Sequence, residues 1–170
     1  VEAAGLTDHL PLGGGTQSRP LRLERPDAGD RPLPADQSIS YRAVSEGYFS
    51  VVGAPLLAGR VWQDDATDRH ELVVNQTFAR RYLPADAAIG ARLTFDVTPA
   101  PGSQPTWYEV VGVVPDIRQR PNQPEPLPEI YLSYRQTYWP LATLVLRGHG
   151  NPRALAGQAR AAIRALDPEL

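Results

Sequence analysis

Five residues within eight positions, Asp64, Asp65, Asp68, His70 and Glu71, form the densest set of groups able to hold a hard cation or move a proton. Crowded carboxylate oxygens suit such a cation. The set lacks the alternating acidic residues and central glycine of a calcium loop, and it lacks H-E-x-x-H. A solvated acidic turn accounts for it without a ligand. Nucleophilic catalysis has less to work with, because there is no cysteine and no G-x-S-x-G elbow. The histidines, His9, His70 and His149, stand in loop or strand-edge contexts. Folding could still assemble a Ser-His-Asp set, since geometry and not chain order defines a triad. Paired carboxylates across a cleft could cleave a glycosidic bond. Glu109 and Glu129 lie in strand-forming runs, and nothing in their spacing brings them together. Gly13-Gly14-Gly15 has neither the spacing nor the following lysine of a phosphate cradle.

Most aromatic residues, Trp62, Trp107 and Tyr131 among them, read as core packing. Tyr138-Trp139-Pro140 differs because it falls between two strand-like runs. An exposed aromatic pair there would touch a partner or the rest of a parent protein.

The elements that must position these groups are α+β in pattern. Ile39 to Val44 alternates, with Ile39, Tyr41 and Ala43 on one face and Ser40, Arg42 and Val44 on the other. Ser45 is the expected N-cap of a short helix that ends at Gly53. Glu71 to Val74 is a compact strand, after which Asn75 caps a helix stopped by Pro84. Ala91 to Val97 and Trp107 to Val114 form an expected antiparallel pair across a Pro-rich loop. Further strands are expected at Ala3 to Leu12, Leu21 to Glu24, Ile130 to Tyr134 and Leu141 to Arg147, with Leu56 to Val61 short or extended. Arg25 to Gln37 and Asp116 to Pro128 read as irregular connections. Asn151 caps the longest helix, with Pro152 at its first position and Leu155, Ala159, Ile163 and Leu166 along one face. Runs of strands between about three helices suit α+β better than a doubly wound sheet.

Composition narrows the function class. The 170 residues suffice for one domain or two small lobes, and a net charge of −2 sets up no field for nucleic acid. Every basic side chain apart from histidine is arginine, and the arginines are scattered. The absence of methionine implies that Val1 is not a native start and that the chain is a processed product or an excised piece of a longer one. No apolar stretch approaches the ~20 residues of a membrane span.

Four stretches, taken in order, resemble the periplasmic core domain of MacB-like ABC transporter permeases, within the broader FtsX-like permease superfamily. They are Val44 to Phe49 with Pro55 to Arg60; Val73 to Pro84 with Ile89 to Leu93; Tyr108 to Val114; and Pro128 to Tyr134. Pro115 and Ala87-Ala88 stand where the family more often has Gly and Asp-Pro.

The resemblance implies two-lobed mixed or antiparallel sheets with a few short helices and a longer C-terminal helix. It implies a porter-like subdomain from 1–62 plus 125–170 and an inserted Sabre-like subdomain at 63–124. Gly59, Arg60, Pro121 and Pro128 are then the candidate hinges, and Tyr138 and Trp139 the candidate partner contacts. The implied place is periplasmic, as the extracytoplasmic domain of a bacterial inner-membrane protein, with one apolar span expected before Val1 and three after Leu170. The implied role is non-catalytic, without cofactor or metal: motion driven by cytoplasmic ATP hydrolysis is passed to substrate export or periplasmic work. Implied partners are the permease's own transmembrane helices, a second permease copy in a dimer, a cytoplasmic ATPase domain or subunit, and a periplasmic adaptor where one exists; no nucleic acid is among them. The rival readings are a free-standing extracytoplasmic ligand- or peptide-binding module, with a deep apolar pocket at Trp62 or Trp107, and an enzyme using Asp68, His70 or His149.

Overall fold

The structure is a computed structural model. It describes residues 1–13, 17–24, 31–33, 39–62, 69–84, 87–119, 122, 124–136, 139 and 141–167. In chain order the elements are β1 (Ala3–Thr7), β2 (Gln17–Arg19), β3 (Arg22–Leu23), β4 (Arg31–Pro32), β5 (Ile39–Val44), α1 (Tyr48–Val52) and β6 (Ala58–Gly59). They continue with β7 (Glu71–Asn75), α2 (Gln76–Tyr82), β8 (Arg92–Thr94), β9 (Tyr108–Val114), β10 (Glu129–Ser133), β11 (Thr143–Arg147) and α3 (Pro152–Leu166).

The strands join in one mixed sheet of order β11-β1-β5-β10-β7-β9-β8-β3-β4, with β2 added on β5 and β6 on β9. Two pairings are parallel, β5 with β10 and β7 with β9; the others are antiparallel. The central strands β10 and β7 are buried along their whole length. That is what near-continuous apolar runs such as Leu72-Val73-Val74 require, since both faces must be covered.

Each face carries one short helix. Against α2 pack Leu21, Ile39, Tyr41, Leu72, Leu93 and Ile130, with Phe78 from the helix itself. Against α1 pack Val44, Trp62, Val73, Val111 and Tyr131, with Tyr48 and Phe49 from the helix. The partition depends on a β-bulge. Leu72 pairs with Val110 but Val73 pairs with Gly112, so Val111 is an extra residue in β9. Strict alternation would put Val111 and Val113 on one face. With the bulge, Val110 and Val113 face α2, and Val111 and Val114 face α1. A side chain at Gly112 would be impossible, because a Cβ there would lie 2.2 Å from the Arg60 carbonyl oxygen.

The expected caps hold at two helices. Asn75 Oδ1 accepts from the Phe78 N–H at 2.9 Å, and Asn151 Oδ1 accepts from the Arg153 N–H at 2.9 Å. Ser45 is a correction. The N-cap of α1 is Gly47, with no side-chain cap. The Ser45 hydroxyl is occupied elsewhere, accepting from the Leu6 N–H at 2.9 Å and so fastening β1 to the start of this turn. Gly47 is dictated by closeness, since a Cβ there would lie 2.1 Å from the Ala4 carbonyl oxygen. The helix ends at Gly53 in the left-handed region, as its position predicts.

Several strands are shorter than expected. The first ends at Thr7, and the strand expected from Ala91 to Val97 keeps only Arg92–Thr94, paired antiparallel with β9 as anticipated. β2 and β4 fall where no strand was expected; both are two or three residues long and too short to carry a periodicity. No helix among the described residues is long and apolar enough to cross a membrane. α3 has no fully buried residue, and its Leu166 is 89% exposed.

Candidate functional site

Among the described residues, a polar network on the α1 side of the sheet gathers charged groups in the interior. Its centre is Arg42 of β5 and Glu129 of β10, each 2% exposed, with Nε and Oε1 3.3 Å apart. Parallel pairing sets Arg42 beside Tyr131 and Ser40 beside Glu129, so both charges project from neighbouring strands toward the same face. The Arg42 guanidinium also donates to the His9 carbonyl and to Gln119 Oε1. Glu129 Oε2 accepts from Gln119 Nε2 and from the Tyr131 hydroxyl, both at 2.6 Å. Asn75 completes the rim: its Oδ1 accepts from the Glu129 N–H at 3.0 Å, and its Nδ2 donates to the Leu127 carbonyl at 2.8 Å.

Burial governs the proton affinities here. It raises the Glu129 carboxyl above its ordinary value; Arg42 and the hydrogen bonds of Tyr131 and Gln119 pull it back only in part. Burial likewise pushes the Tyr48 hydroxyl up to about 12 and the Tyr131 hydroxyl well above its ordinary value. Neither tyrosine is therefore an acid or base near neutral pH. The network can hold segments together; it offers no exposed nucleophile.

A second polar region is an open groove of about 490 Å³ lined by Arg60, Arg69, His70, Glu71, Arg92, Trp107 and Glu109. Parallel pairing sets Glu71 directly beside Glu109, a repulsive arrangement that needs cations. Arg60 grips Glu71 through two hydrogen bonds of 2.9 and 2.6 Å, and this pairing holds the Glu71 carboxyl below its ordinary value. The Trp107 ring lies under the guanidinium groups of Arg22 and Arg92, at 5.2 and 5.4 Å from its centroid.

The residues singled out in the sequence are dispersed. Gly59 and Arg60 lie against β9, where Gly59 pairs with Gly112 and the Arg60 N–H donates to the Val111 carbonyl at 2.8 Å. Pro128 is buried at the entrance to β10. Pro121 and Tyr138 lie outside the described residues, as do Asp64, Asp65 and Asp68. Trp139 is half-buried and packs on Tyr41, ring centroids 6.0 Å apart. Trp62 is buried in the core beside Phe49 and lines no pocket described here.

His9 meets Asp8, His70 meets the Tyr108 ring and His149 meets Glu2. Among the described residues no three His, Asp or Glu side chains gather in a metal-binding group. Glu109 and Glu129 do not face one another. Their strands flank β7, and they sit at its opposite ends, Glu109 beside Glu71 and Glu129 next to the Val74 partner Ile130. Sequence reading noted Glu129 and the face of Arg42 but missed their pairing. The available signal was a charged residue inside each of two apolar strands, with opposite signs.

No curated protein matches the chain significantly. Among solved structures, the periplasmic region of MacB from Actinobacillus actinomycetemcomitans matches with a TM-score of 0.61 and 15% identity, over 96% of this chain and 66% of that one. A domain assigned to a permease protein from Porphyromonas gingivalis matches with a TM-score of 0.56 and 18% identity, over 97% of this chain and 64% of that one. At such identities the likeness is one of fold, and this chain spans just under two thirds of each. The model of the family described as MacB-like periplasmic core domain matches residues 20–166, most of the sheet and all three helices, and the chain belongs to that family.

Proposed function

We propose that this chain is the extracytoplasmic domain of an ABC-type permease and passes on motion without catalysing a reaction. The observation that carries the reading is the family match over residues 20–166. The interior agrees with it, since its charged groups are spent on tying strands together. In this reading cytoplasmic ATP binding and hydrolysis move transmembrane helices, and the domain transmits that movement toward export or other periplasmic work. The partners are the permease's own transmembrane helices, a second permease copy, a cytoplasmic ATPase domain or subunit and, where one exists, a periplasmic adaptor. Tyr138 and Trp139 are proposed to face one of them.

The division into 1–62 plus 125–170 and 63–124 belongs to the same proposal. Sheet order supports it only for the central strands: β5 and β10 from the first part, and β7, β9 and β8 from the second, meet at the β10–β7 ladder, while β3 and β4 of the first part lie beyond β8 and β6 lies on β9. That ladder joins Ile130 to Val74, Tyr131 to Val73 and Leu132 to Leu72. A rotation between parts, hinged at Gly59, Arg60, Pro121 and Pro128, would act across it and across the β3–β8 and β6–β9 pairings.

Two measurements test the reading. The chain has no native cysteine, so Ala100→Cys in the exposed loop gives one labelling site within it, and the unaltered parent measures labelling of any cysteine elsewhere. In cells making the parent protein, a reagent that does not cross the inner membrane should label it; protection until that membrane is broken would defeat the placement. Structures of the parent with and without ATP should differ by a rotation between the two parts. Parts that superpose as one body would remove the hinge.

A further inference from the structure

The edge of the sheet beside β5 is interrupted at one place. β1 pairs with β5 at Thr7 and Val44, and β2 resumes the pairing at Gln17 and Tyr41. Between them the chain leaves the edge opposite Arg42. Two unfavourable features lie in residues 8–13 of this excursion, and a third in α1. The Asp8 side chain is 2% exposed, yet among the described residues neither carboxylate oxygen has a hydrogen-bond partner, and the neighbouring His9 Nδ1 lies 3.1 Å from Oδ2. The buried Tyr48 hydroxyl of α1 also has no hydrogen-bond partner among the described residues. Leu12 has φ of +63°, in the left-handed region that a leucine rarely adopts. Such groups would gain water and a relaxed backbone if the segment lifted away.

Among the described residues, hydrogen bonds to the Arg42 network and to β5 oppose release. The Arg42 guanidinium donates to the His9 carbonyl and to Gln119. The Leu12 N–H donates to the Gln119 carbonyl at 2.9 Å, and the Asp8 N–H to the Ala43 carbonyl at 3.1 Å. Gln119 is in turn held by Glu129. We propose that Arg42, Glu129 and Gln119 form a latch that holds residues 8–13 and residues 117–119 on the sheet, and that this corner opens as a unit while the central strands stay paired. Its hydrogen bonds among the described residues are of the polar, specific kind, whereas β7 and β10 are locked by apolar packing on both faces. Stability distributed so unevenly favours local opening over global unfolding. The inference stands apart from the permease reading, because it is measured on this chain by itself.

Amide hydrogen exchange resolved by residue tests it. Gln119→Ala removes the side chain that bridges Arg42 and Glu129. Exchange at the Asp8 and Leu12 amides should rise roughly ten-fold or more, while the amides of β7 and β10 change less than about two-fold. Gln119→Met, which keeps the side-chain volume without the amide, serves as the second variant and should give the same pattern. Unchanged rates at Asp8 and Leu12, or rates that rise in equal proportion across β7 and β10, would overturn the latch.

Discussion

Arg42 and Glu129 are an expensive pair to bury, and their neighbours explain why the charges are tolerated. Arg42 reaches two oxygens besides its carboxylate, and Glu129 collects two donors besides its guanidinium. Removing one member of such a pair is far worse than replacing both, because the remaining charge is stranded. The two perturbed carboxyls respond to pH with opposite sign. Glu129 is raised above its ordinary 4.5, so its contribution is complete below that value and is lost as pH rises through its folded-state value. Glu71 is lowered from the same 4.5, so its contribution is present above that value and is lost as pH falls through its folded-state value. Urea unfolding of the Glu129→Gln and Glu71→Gln variants from about pH 3 to about pH 8 separates them. Relative to the unaltered chain, Glu129→Gln should gain stability steadily on the neutral side of 4.5, and Glu71→Gln on the acid side. A constant difference across either window would contradict the assignment.

At the scale of elements, Asn75 ends β7, caps α2 and orders the entrance to β10 in one side chain. Asn75→Ala should therefore cost about 2–3 kcal/mol, more than an ordinary cap, since it also strips partners from buried backbone groups. Asn151→Ala on exposed α3 should cost less than about 1 kcal/mol, and urea midpoints of the two variants give the comparison. These caps were legible in the sequence because an Asn before an apolar 3.6-residue pattern is a local signal. The central strands were legible for the same reason, as Leu72 to Val74 and Tyr108 to Val114 announce themselves by β-branched runs. The Ser45 cap was misread because its hydroxyl is claimed by Leu6, a partner 39 residues distant. The buried network was illegible for that reason on a larger scale. Alternation places Arg42 on a face, yet its partners stand 77 and 87 residues away, and local spacing carries no record of them.

For the molecule as a whole, the sheet runs without a break from β11 to β4 and has a core on each face. Trp62 reports on the α1 side and Trp139 on the α2 side. With the other tryptophans replaced by phenylalanine, the two should unfold at the same urea concentration, together with the far-ultraviolet signal of the backbone. Separate midpoints would mean that the faces melt independently. Strand order has one further consequence. β10 is the wedge between β5 and β7, and it is made after both. Until the ribosome has passed Ser133, those two earlier strands have bare flanks and nothing to fill the gap between them. A polypeptide terminated before β10 would present sticky, unpaired edges and clump, so the quality of this domain's synthesis is decided when β10 emerges.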